Sequence, residues 1–137
     1  MVVVVYHRPF SHFRVNHVAL IAGNLGAKLL VYSEPKSRAA LDGITQVLEH
    51  PEERRRVPVM VVDDLDDALE VVNGRVALLD PPADGGIKKL KPSDVLLTVP
   101  VELLEEVDID PDLTVGVDAP VGELAALAVV LYELGGT

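Results

Sequence analysis

The stretch Asp118-Ala-Pro-Val-Gly-Glu-Leu-Ala-Ala-Leu-Ala-Val-Val-Leu-Tyr-Glu-Leu134 constrains this 137-residue chain more than any other. From Leu124 to Leu134 the only polar positions are Tyr132 and Glu133, and the rest are good helix formers, so a helix here is apolar on nearly every face. Such a helix needs cover on several sides. At roughly 12 residues it is too short to span a bilayer, which leaves the chain's own sheet and a second copy of the chain as cover. Pro120 fixes its own φ and holds Ala119 out of helical geometry, so the helix is predicted to start at Gly122 or Glu123, with Gly122 permitting close backbone approach. A turn of exposed backbone groups at a strand end, beside a helix N-terminus, is a common ligand site in α/β proteins.

Upstream, short apolar β-branched runs alternate with helical patterns. Val2–Tyr6 reads as a first strand buried on both faces; it has no basic leader and no small-residue cleavage site, so it is expected to be a strand and not a signal. Ser11 is a candidate N-cap for a helix reaching Leu25, with Val15, Val18, Ala19, Ala22 and Leu25 inward and Gly26 ending it in a left-handed turn. Lys28–Tyr32 is a second strand. A helix from Ser37 to His50 is expected to bury Ala40, Leu41, Ile44, Val47 and Leu48, with Pro51 beyond its end and the basic triplet Arg54–Arg56 in a loop. Further strands are predicted at Val57–Val62, Val76–Leu79, Val95–Val99 and Leu113–Val117. A helix opens on Asp63-Asp64-Leu65-Asp66-Asp67, where carboxylates favour the N-terminal dipole, and Ile87–Leu90 reads as one helical turn. The acidic segment from Glu102 to Asp112 is a short helix or a loop. This alternation predicts a single α/β domain with a parallel sheet of about six strands and helices on both faces.

Composition narrows the function. A hydrophobic content of 49% suffices for one domain with a real core, and the lack of cysteine excludes disulfides and thiolate metal sites, so a cytoplasmic location is expected. Three Asn and one Gln among many Val, Leu and charged residues suggest a heat-adapted source. The net charge of −10 is uneven: residues 1–56 carry eight Lys/Arg and five Asp/Glu, a balance of +3, and the remainder carries four and seventeen, a balance of −13. An acidic chain is a poor general binder of phosphate backbones, so any RNA site must be local and N-terminal. No metal site is expected. The Asp63–Asp67 run lacks the glycine and distal glutamate of a calcium loop, and His7, His12 and His17 are spaced so as to face different ways.

Two stretches carry a family resemblance. His7-Arg8-Pro9 with Arg14-Val15-Asn16-His17-Val18-Ala19-Leu20, and Pro120-Val121-Gly122-Glu123-Leu124-Ala125-Ala126-Leu127-Ala128, resemble the archaeal tRNA cytidine 2′-O-methyltransferases of the SPOUT superfamily, which methylate a T-loop cytidine. The resemblance implies a C-terminal trefoil knot, a homodimer packed through the final helix, and S-adenosylmethionine bound by three loops. Those loops fall at Leu79 and the residues after it, at Val99, Pro100, Val101, Glu102 and Leu103, and at Gly116, Val117, Asp118, Ala119, Pro120, Val121, Gly122 and Glu123. It implies that Arg14 sits beside the ribose hydroxyl as the catalytic residue and holds the adjacent phosphate, and that His7, Arg8 and Arg14 contact tRNA.

The chain also departs from that family. Its second loop, Thr98-Val99-Pro100-Val101-Glu102, has no glycine, and Asp118-Ala-Pro-Val-Gly-Glu stands where the family carries Asn-Gln-Pro-His-Ser-Glu. The chain is shorter than family members between the third and fifth strands. Two other readings therefore stay open: a catalytically silent dimer of the same fold that binds a nucleotide or a protein partner, and an unknotted flavodoxin-like or receiver-like domain holding Mg²⁺ at Asp63-Asp64.

Overall fold

The computed structural model describes residues 2–50 and 57–135. Its elements run β1 (Val3–His7), α1 (His12–Asn24), β2 (Leu29–Ser33), α2 (Arg38–Glu49), β3 (Val59–Val62), α3 (Leu65–Val72), β4 (Val76–Leu79), β5 (Val95–Thr98), β6 (Leu113–Val115) and α4 (Glu123–Gly135), with short 3-10 helices at Ile87–Lys89 and Val101–Glu106. All six strands pair in parallel in the order β3-β2-β1-β5-β4-β6. A flavodoxin-like sheet would place the third strand beside the first, so this order overturns the flavodoxin-like reading. The Arg54–Arg56 triplet and Pro51 lie outside the described residues.

The strand pattern divides the core between the two faces of the sheet. Val4, Tyr6, Leu30, Tyr32, Leu79 and Leu96 point to the face covered by α1, α2 and α4, whereas Val5, Val31, Val95 and Leu97 point to the face covered by α3 and the 101–109 segment. Strands enclosed in this way are continuously apolar, as the runs in the sequence are. Ser11 caps α1 by accepting from the Arg14 N–H at 3.3 Å, and Gly26, at φ 84°, follows the helix end.

Three expectations need correction. Leu41 and Leu48 are about half exposed, because α2 packs on α1 through Ala40, Gly43, Ile44 and Val47; Gly43 lies so close to the His12 carbonyl and Val15 that the two helices meet along that line. The third strand starts at Val59 rather than Val57, after Pro58. The sixth ends at Val115 and not Val117, because the next amides turn away from the ladder: Gly116 N–H donates to the Gly85 carbonyl (2.9 Å), Val117 N–H to Pro81 (2.9 Å) and Asp118 N–H to Ala83 (3.0 Å).

The all-round apolar α4 is covered on one side only. Ala126, Leu127, Val130 and Leu131 are buried, while Val129 and Tyr132 are exposed. Its open side meets α1 at a groove of about 300 Å³ lined by His17, Leu20, Ile21, Leu124, Ala125 and Ala128. No helix among the described residues is long and apolar enough to cross a membrane.

Candidate functional site

The sheet order fixes where a ligand site can form. From β1 the chain moves outward to β2 and β3, then crosses to β4 and returns to place β5 against β1. Connections leaving the C-terminal ends of β1 and β5 therefore diverge, and a crevice opens between them. The loop after β1 leads to Arg14, one turn into α1, and the loop after β5 leads to Glu102.

These two residues meet. Arg14 Nη1 and Nη2 donate to the two carboxylate oxygens of Glu102 at 2.7 and 2.6 Å, a bidentate pair that adds direction to charge. Nη1 also reaches Glu123 Oε2 at 3.4 Å, and the guanidinium carbon lies 5.2 Å from the centre of the Phe10 ring. Glu123 is 1% exposed, whereas the side chains of Arg14 and Glu102 are 31% and 47% exposed. Its Oε2 also accepts from the buried Tyr6 hydroxyl at 2.7 Å, and its Oε1 from the Val101 N–H at 3.2 Å. Burial, together with the adjacent Glu123 carboxylate, raises the Tyr6 phenol well above its ordinary value. Its hydrogen bonds to Glu102 raise the Arg14 pKa, and the same bonds lower that of Glu102. At neutral pH Arg14 is a fixed cation flanked by a buried and an exposed carboxylate.

Beside this cluster lies a cleft of about 510 Å³ lined by Asp80, Pro81, Pro82, Val101, Glu102, Leu104, Glu105, Glu106, Pro120 and Val121. Three separate loops build it, following β4, β5 and β6. Of the residues expected at a cofactor, Val101, Glu102, Pro120 and Val121 line the cleft. Leu79, Val99 and Pro100 are buried outside the wall, and Leu103, Gly116, Val117, Asp118, Ala119 and Gly122 are not part of it either. Glu123 turns inward to Tyr6. Leu104, Glu105 and Glu106 belong to the wall and were not singled out by the sequence; only the 3-10 winding of 101–106 brings them there.

The glycine requirement also moves. A Cβ on Gly122 would meet open space, so its expected close approach is absent; a Cβ on Gly116 would collide with the carbonyl oxygens of Ala83 and Asp80. Gly116 is what lets the chain after β6 lie against the 80–86 loop. Asp118, at φ 56°, makes the left-handed turn that follows.

His7 and Arg8 stand at the end of β1, bordering a second, smaller hollow. His7 is 6% exposed, its Nδ1 lies 2.9 Å from Ser33 Oγ, and burial pushes its pKa down to about 4, so the imidazole is neutral at pH 7 and offers no charge to a phosphate. Arg8 Nε lies 2.6 Å from Glu34, and both residues hold left-handed backbone, at φ 55° and 48°. Among the described residues no group of three His, Asp or Glu is arranged to hold a metal ion.

No protein-family model matches the sequence, and no curated protein matches it. Solved structures do match in fold. The SpoU methyltransferase AviRb of Streptomyces viridochromogenes, determined with AdoMet, superposes with a TM-score of 0.67 at 16% identity over 99% of this chain and 60% of its own. An RNA 2′-O ribose methyltransferase gives 0.68 at 14% identity over 96% of this chain and 54% of its own. A Bacillus anthracis protein described as a candidate RNA methyltransferase gives 0.70 at 14% identity over 97% and 91%. The chain thus has the fold of SpoU-type RNA methyltransferases and spans little more than half the length of the first two.

Proposed function

We propose that this chain transfers a methyl group from S-adenosylmethionine to a ribose 2′-oxygen of RNA, with the T-loop cytidine of tRNA as the substrate its motifs resemble. The observation that carries the proposal is the cleft of about 510 Å³ built by the loops after β4, β5 and β6, with Arg14 gripping Glu102 of its wall. Its size suits a nucleoside cofactor. The carboxylates of Asp80, Glu102, Glu105 and Glu106 suit a ligand bearing sulfonium and ammonium charges. That cofactor supplies an electrophilic methyl carbon. The chain's part is electrostatic: Arg14 stabilises the oxygen anion developing on the 2′-hydroxyl and orients the neighbouring phosphate through its planar fork. Glu123, itself held by the Tyr6 hydroxyl, accepts from the guanidinium from behind, and Pro120 and Val121 close the wall nearest α4.

The same reading includes a trefoil knot, in which the 116–122 segment passes through the 80–86 loop; the amide bonds between the two and the absence of space at Gly116 support it. It includes a homodimer through the open face of α4 and the adjoining groove on α1, where Phe13 and Tyr132 are 71% and 72% exposed. It places the protein in the cytoplasm of a heat-adapted archaeon. A second reading, a silent dimer of this fold that binds a nucleotide or protein, draws on the carboxylates that already occupy Arg14.

Calorimetric titration with S-adenosylmethionine and S-adenosylhomocysteine, paired with methyl transfer to tRNA transcripts, separates the two. The enzyme reading expects micromolar or tighter binding. Arg14→Ala should keep that binding and lower methyl transfer by roughly 100-fold or more, the scale of losing one preorganised donor. Failure of both ligands to bind removes the methyltransferase reading and leaves the silent dimer.

A further inference from the structure

We infer that Glu123 is a positioning residue that couples the cofactor cleft to Arg14. This inference rests on the functional reading of the same site. Glu123 is one of the few charged groups removed from water among the described residues, and a carboxylate stays buried only where donors replace its hydration. Its donors come from three parts of the fold. Tyr6 hydroxyl reaches Oε2 from β1, Arg14 Nη1 reaches Oε2 from α1, and the Val101 N–H reaches Oε1 from the loop after β5.

The division between its two oxygens gives the arrangement its meaning. Val101 lines the cleft and Arg14 does not, so Glu123 joins a group that touches the cleft to one beyond its wall. Glu102, the next residue after Val101, grips Arg14 directly, so the loop and the guanidinium are joined by a part-buried route through Glu123 and by an exposed pair. Water competes more readily with the exposed pair than with the route through the buried Glu123 carboxylate. A ligand that shifts Val101 therefore shifts Arg14, and cofactor occupancy sets the aim of the guanidinium.

Nitrogen-15 NMR of the full chain tests this through the Arg14 Nε–H and Val101 N–H resonances. Without ligand, Glu123→Gln should move both signals, because the neutral amide loses the attraction for Arg14 and weakens the acceptor at Val101. Movement of neither would overturn the inference. With S-adenosylmethionine as probe, a Glu102→Ala protein, which lacks the direct link from the cleft wall to the guanidinium, should still show a shift at Arg14 Nε–H, and adding Glu123→Gln should lose it while Val101 still responds. A retained Arg14 shift in the double variant would also overturn it. Should Glu123→Gln fail to fold, Arg14→Ala in a Glu102→Ala background reports on the same link, since Glu123 alone then joins the two: a moved Val101 amide supports the coupling and an unmoved one refutes it. If S-adenosylmethionine does not bind at all, the functional reading fails by itself, and the ligand-free comparison still decides the role of Glu123.

Discussion

Arg14 and Arg75 each grip a carboxylate with two nitrogens, at opposite ends of the sheet. At the N-terminal end, Arg75 Nε and Nη2 bind Asp94 Oδ1 and Oδ2 at 3.0 and 2.7 Å, Nη2 also binds the Lys89 carbonyl at 2.7 Å, and Asp94 takes the Lys91 N–H at 2.8 Å. Every partner lies on the chain between the starts of β4 and β5. That pair closes its own loop. Arg14 instead draws Glu102 and Glu123 from 88 and 109 residues away, at the end of the sheet where connections diverge and a cleft remains. Identical side-chain chemistry thus serves cohesion where partners are local and leaves a responsive site where partners come from separate loops.

The sharpest way to break the comparison is to cut the Arg75 pair. Asp94 is 1% exposed and accepts from Arg75 and from the Lys91 N–H, so Asp94→Ala removes three hydrogen bonds that tie the loop between β4 and β5, read as a lower urea midpoint at pH 7. Ligand binding per folded molecule should be unchanged. The Arg75 partner holds the Asp94 carboxyl below its ordinary range, so this contribution is present above the usual aspartate pKa and fades as pH falls through the lowered one. An equal loss of stability in Arg14→Ala would erase the distinction between the two ends.

The C-terminal end carries a titration of its own. His7 is held neutral, with its pKa moved from 6.5 to about 4 by burial. Between those values the unfolded chain takes up a proton that folded His7 refuses, so stability falls as pH is lowered across the window. The expected loss by pH 4 is on the order of 3 kcal/mol. His7→Asn, which keeps a polar group toward Ser33 but does not titrate, should flatten the profile of urea midpoints from pH 6.5 to 4; an unchanged slope would show that His7 is not its source.

Much of this end was legible residue by residue, but not as an arrangement. Arg14, Glu102 and Glu123 all stand out in motifs, and the strand runs identify an α/β sheet. Their meeting depends on β5 inserting beside β1, a long-range choice that local periodicity does not encode. Gly116 and Gly122 look alike in sequence, yet only Gly116 faces backbone from residues 80–83, some thirty positions away. Leu41 and Leu48 match a helical stripe, but Gly43 sets the contact line of α2 by letting it approach α1 closely. The apolar α4 was readable as needing cover on several sides; its own domain covers one of them.

The smallest expected effect probes the exposed half of the Arg14 cluster. Glu102 is 47% exposed, and its pair with Arg14 is solvated enough that Glu102→Gln should change stability by less than about 1 kcal/mol. Its influence on binding has the opposite sign. On the proposed reading, an RNA phosphate must displace the Glu102 carboxylate to reach the guanidinium, and Glu102 adds a negative charge to an already acidic rim that includes Glu105 and Glu106. Removing that charge leaves Arg14 held by Glu123 and open on its solvent side. Affinity for a tRNA transcript should therefore rise several-fold at low salt, with the gain shrinking as salt screens the interaction. If the affinity instead falls, Glu102 aims Arg14 at its target rather than competing for it, and the two carboxylates act as one clamp.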